Sequence, residues 1–109
     1  MTKRSNEFGE EIGASEYVFR FSDGSERPVR VRIGRPYLVG DNEWACPVEI
    51  SGFESRRADI HGHDSLQAMV LAISFAWLRI RDFVENGGAV LDAEGNAYSL
   101  DDLRKILGR

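Results

Sequence analysis

The sequence predicts an α+β domain: a four-stranded antiparallel meander packed by one long helix, with a short C-terminal helix. Three observations predict it. Apolar and polar residues alternate with period two through the first half of the chain, as half-buried strands require. From Asp64 to Glu85 the apolar spacing changes to the 3.6-residue period of a helix. Turn sequences separate the runs, most clearly Asp23-Gly24, Ser51-Gly52 and Asn86-Gly87-Gly88.

Each element follows from its residues. Glu16 to Phe21 places Tyr17, Phe19 and Phe21 on one side; Pro28 to Ile33 does the same with Val29, Val31 and Ile33. The Asp-Gly turn between them predicts an antiparallel hairpin. Gly34-Arg35-Pro36 breaks the second strand, and Tyr37 to Val39 is expected as a short extension. Glu43 to Ile50 is the third strand, with Trp44, Cys46, Val48 and Ile50 on one face. Pro47 has no N–H to give a ladder, so it is expected at an edge, at a bulge, or where that N–H would point outward. Ser55 to His61 is the fourth, with Ala58 and Ile60 inward. Arg20, Arg30, Arg32, Glu49, Arg57, Asp59 and His61 are left on the opposite, charged face.

Asp64 and Gln67 have the spacing of a capping box and start the helix. Asn86-Gly87-Gly88 stops it. Its length is about 33 Å at 1.5 Å per residue. Val90 and Leu91 follow, then a turn at Asp92 to Asn96. Ser99 can cap a final helix from Leu100 to Leu107, with Leu100, Leu103, Ile106 and Leu107 as its apolar stripe and Gly108 as its end. Residues 1–14 are polar and aperiodic and are expected to fray, with Phe8 and Ile12 as the only anchors; residues 15–109 form the single domain.

Composition narrows the function. A chain of 109 residues, 42% hydrophobic and 29% charged, is globular and long enough for one core. The net charge of −4 argues against general nucleic-acid binding, which needs a basic surface. Arg30 and Arg32 are expected to pair with Glu49 or Asp59 across strands. The N-terminal segment has no apolar stretch of signal-peptide type, and Ala68 to Leu78 is short of the ~20 residues of a membrane span. The expectation is a cytoplasmic protein with no membrane contact.

Catalytic chemistry finds little support. The single cysteine, Cys46, falls on the greasy face of its strand, where an inert thiol is expected. No nucleophile elbow, phosphate loop or dinucleotide fingerprint is present. The alternative to a non-catalytic protein is a metal-dependent hydrolase using His61, His63 and Asp64, because residues i and i+2 of an extended segment point to the same side. Against it, Asp64 is needed as the helix cap and His61 lies on the solvated face. The expectation is therefore no catalytic residue, no bound metal, no cofactor and no identifiable small molecule.

Trp44, Cys46, Val48, Ile50 and Gly52, followed by Gly62, Asp64, Ser65, Leu66, Gln67 and Ala68, resemble a family of small bacterial domains of unknown function. The likeness covers roughly residues 27 to 85. It implies a bacterial cytosolic protein and the strand–strand–helix order, and it implies no activity. Those domains carry an aliphatic residue where this chain has His63, so the histidine pair is not implied as a family feature.

The helix holds more apolar residues than one face can bury on a sheet. The usual solution covers the remaining side within the chain, by Val90, Leu91 and the last helix. The alternative is that, with Met69, Ile73, Trp77 and Ile80 on the sheet, Leu71, Phe75 and Leu78 face away and form an interaction surface for a homodimer or another protein. The function expected is a non-catalytic protein-interaction or small regulatory module. An immunity-type protein is one version, since an acidic domain suits a basic partner.

Overall fold

The computed structural model of the chain describes residues 8 to 107. In chain order the elements are β1 (Glu11–Arg20), β2 (Glu26–Gly34), β3 (Tyr37–Gly40), β4 (Glu43–Ser51), β5 (Ala58–Gly62), α1 (Ser65–Glu85), β6 (Ala89–Leu91) and α2 (Leu100–Leu107). The fold is α+β with an antiparallel sheet, one long helix and a short C-terminal helix, as expected. The sheet has six strands instead of four.

The two additional strands have plain physical origins. β3 continues β2 past the bend at Gly34-Arg35-Pro36, along the same edge of β4: Ile33 pairs with Val48 and Tyr37 with Ala45. β6 adds to the far side of β1, with Val18 opposite Leu91 and Arg20 opposite Ala89. It is too short to show a period in sequence. The four expected strands keep their meander, β1 against β2, β2 against β4 and β4 against β5.

Local chemistry sets the turns. At the hairpin tip Phe21 N donates to Ser25 O at 2.8 Å, and the Asp23 carboxylate accepts from the backbone N and the hydroxyl of Ser25 at 2.9 and 2.7 Å. Those two bonds hold the Asp23 carboxyl below its ordinary range. Pro47 is buried within β4, opposite Asp59 on one side and facing the β2–β3 bend on the other, so a donor is dispensable there. Gly34 sits at that bend because a Cβ would lie 2.6 Å from Pro47 Cγ.

The core lies between the inner face of the sheet and α1. Tyr17, Phe19, Val29, Val31, Ile33, Cys46, Val48 and Ile50 meet Ala68, Ala72, Ala76, Trp77 and Ile80. The row facing the sheet is therefore mostly alanine at i, i+4 spacing, which lets the helix backbone come close. The approach is tight enough at β5 that a Cβ on Gly62 would stand 2.6 Å from Ala68 N. This corrects the expected seating of α1: Trp77 and Ile80 are buried, Met69 is partly buried, but Ile73 is exposed. At the far end of α1, Phe83 stacks on Phe19 with centroids 4.4 Å apart and meets Phe21 and Phe53 edge-on.

β1 starts at Glu11, so the paired chain reaches further back than the sequence boundary at Ser15. Ahead of it the Phe8 ring lies under the Arg32 guanidinium, 3.9 Å from its centroid, and Arg35 N donates to Glu10 O at 2.8 Å. The first seven residues of the expected tail, and Gly108, lie outside the described residues. At the C-terminal end Ser99 Oγ accepts from Asp102 N at 3.0 Å, and α2 rests on α1 through the buried Leu103.

Candidate interaction face

The start of α1 carries the residues that could have formed a metal centre. Asp64 Oδ1 accepts from Gln67 N at 2.8 Å, and Gln67 Oε1 accepts from His63 N at 2.6 Å, which completes a reciprocal cap. Asp64 is thus committed to the helix. His61 Nδ1 lies 2.6 Å from Glu43 Oε2 across the β4–β5 pair, and His63 is exposed at the turn. An open groove of about 520 Å³ runs between Asp41, Asn42, Glu43, His61, His63 and Gln67. Among the described residues no three His, Cys, Asp or Glu side chains gather to hold an ion, and nothing in the groove points to hydrolysis. Cys46 is fully buried, its Sγ 3.3 Å from Gly34 O, and burial pushes its thiol up to about 11. A thiol so protonated is not a nucleophile.

The outer face of the sheet is a lattice of ion pairs. Arg32 Nε meets Glu49 Oε1 at 2.7 Å, as the cross-strand expectation had it. Arg30 turns instead to β1, with Nη2 2.9 Å from Glu11 and Nε 3.5 Å from Glu16. Glu11 also reaches Arg32 at 3.5 Å, and Arg57 pairs with Asp59 at 3.3 Å. These arginines are engaged by carboxylates within the chain. Their partial exposure limits what such pairs add to stability. Burial beside Asp59 raises the Tyr37 phenol above its ordinary range.

The other large surface is the outer side of α1. Leu66 is 65% exposed, Val70 52%, Leu78 44% and Leu71 42%. From Ser65 to Leu78 the helix has no charged residue on any side, although this side faces away from the sheet. Leu71 and Leu78 stand in the open as the sequence predicts. Phe75 does not join them fully: it is partly buried and packs against the core cluster. Leu66 and Val70 take its place on the surface, and the sequence reading placed neither on a face of the helix. The signal that could have found them is the uncharged run itself, because a solvated helix face normally carries charges. On one flank Ile73 meets α2, where Ile73, Ala76 and Ile106 line an apolar groove with Val31 and Ile33.

One family model matches the chain, that of a domain of unknown function (DUF6968), over residues 15–101. The chain belongs to that family. Comparison with curated proteins and with solved structures gave no match. No helix among the described residues is long and apolar enough to cross a membrane.

Proposed function

We propose that this domain is a non-catalytic protein-interaction module that presents the outer side of α1. The observation that carries the reading is the row of Leu66, Val70, Leu71 and Leu78, large, apolar and open to solvent on a stretch without charge. Exposed apolar patches of this kind are the ordinary mark of an interaction surface. The tight alanine-lined seat of α1 supports it further, because these leucines are not required to close the core. A cytoplasmic, bacterial setting belongs to the same proposal, as does an immunity-type role. In that role the net charge of −4 would draw in a basic partner and the apolar row would hold it.

A photo-crosslinking amino acid in place of Val70 tests the reading in living cells. Irradiation should join the protein to a macromolecular partner through that position, and the same group in place of Asp23, at the hairpin tip, should not. If position 70 gives no adduct, the face is idle and the reading is wrong.

A further inference from the structure

We propose that the open edge of β1 takes up an extended segment of another protein as an added strand, one in which apolar and basic residues alternate. The site lies apart from the outer side of α1 and does not rest on the reading of that face.

Backbone parity locates the edge. Tyr98 N donates to Val90 O at 2.9 Å, so Val90 points its peptide groups away from β1, and Phe19 opposite it points its own toward β2. The register of β1 with β2 runs unbroken from Gly13 to Arg20, so the alternation carries back along the strand. Val18 and Arg20 turn their N–H and C=O toward β6. Ala14 and Glu16 turn theirs to the same side, where β6 has already ended. The carbonyl of Arg30, opposite Glu16, gives the same parity, since it accepts from the Ser51 hydroxyl at 3.4 Å on the β4 side. Among the described residues no strand lies beside Ala14 and Glu16, and both are exposed. Such an edge is a template for a further strand.

The two faces of the edge select what that strand carries. On the inner face Tyr98 meets Tyr17 edge-on at 5.8 Å and closes the first position beyond β6. Past it a groove of about 250 Å³ opens at Gly13 and Ser15, with Val31, Ile33 and Ala76 buried and Ile73 and Ile106 exposed along it. A residue opposite Ser15 points into this groove, and an aliphatic side chain there covers both exposed isoleucines. On the outer face the edge borders a cleft of about 450 Å³ lined by Glu16, Arg30 and Asp92. Arg30 is engaged by Glu16 and Glu11 at 3.5 and 2.9 Å, so the carboxylates prevail. A residue opposite Glu16 points to this side, and a lysine or arginine complements the Glu16 carboxylate, which is 77% exposed. A second copy presenting this edge would bring the same two carboxylates to it. The free edge of β3 is a poorer template: it is four residues long, its register shifts between Leu38 and Gly40, and it carries no charge to select a partner.

Short random peptides displayed on phage and selected on the purified full chain test the proposal. The recovered peptides should alternate apolar residues with lysine or arginine. Ala14→Pro removes an N–H that the β1–β2 ladder does not use, so it should keep the wild-type unfolding midpoint. It should bind the recovered peptides at least about tenfold more weakly, because the edge loses a donor and gains a ring. Glu16→Lys should weaken the same peptides about fivefold, and glutamate in place of their basic residue should restore binding to that variant. Hydrogen exchange should find the Ala14 and Glu16 amides fast in the free chain and slowed in the complex. Recovery of no common pattern, or full-strength binding to Ala14→Pro or Glu16→Lys, overturns the proposal. So does protection of both amides in the free chain, which would assign the edge to a second copy or to the chain's own ends. An Ala14→Pro variant that unfolds would place that N–H in the β2 ladder and overturn the parity.

Discussion

The two sides of α1 differ in where they place their aliphatic bulk. The inner side is a row of small residues, Ala68, Ala72 and Ala76, completed by Ile80 and Trp77. The outer side carries Leu66, Val70, Leu71 and Leu78. Distance sets the middle of the seat: the strands supply the bulk there, with Phe19, Val31, Val48 and Ile50 filling the inner face, and opposite them the helix offers alanines. Leu66, Val70, Leu71 and Leu78 are left over on the outer side.

That contrast can be broken from either side. The largest effect is expected at Trp77, the bulky member of the inner side: Trp77→Ala should lower the unfolding free energy by about 3–5 kcal/mol, read from the denaturant midpoint. A loss near zero would mean that the helix does not seat as described. Ala72→Leu probes the close approach directly. Adding bulk to a buried alanine should cost about 1–3 kcal/mol although it raises hydrophobicity. A stabilised Ala72→Leu would show that there is room beneath the helix. On the outer side, Leu71→Glu with Leu78→Glu should leave stability within about 0.5 kcal/mol per site, as for other surface substitutions. Unfolding by that pair would assign both residues to the core and erase the contrast.

The parts of the fold that were legible in the sequence are those written in local chemistry. Asp23-Gly24 made the hairpin, Asp64 with Gln67 opened the helix, and Asn86 closes it by donating to Asp82 O. Strand parity placed Tyr17, Phe19, Val29, Val31, Cys46, Val48 and Ile50 correctly, because side chains alternate strictly on a pleat. β6 was not legible, since its three residues between two turns carry no period and gain their strand identity only from lying beside β1. The division of one β4 edge between β2 and β3 is likewise a tertiary fact, as is the seat of Phe8 under Arg32. The candidate face was half legible. Leu71 and Leu78 could be found, but Leu66 and Val70 depended on how closely the helix meets the sheet. The histidine pair shows the opposite case: the spacing of His61 and His63 was suggestive, yet Glu43 approaches His61 from the neighbouring strand and Asp64 turns to its own helix.

The seclusion of Cys46 gives the molecule a built-in clock. Its sulfur sits at the centre of the sheet, on the strand that pairs with β2, β3 and β5 and lies under α1. A thiol reagent can reach it only when β4 separates from the helix that covers it, so each labelling event counts one opening of the core. Fraying of the chain ends does not register. When closing outpaces labelling, the slowdown relative to a free thiol measures the free energy of that opening. Any variant that loosens the inner side of α1 should make the clock run faster, while one that alters only the outer side should leave its rate untouched.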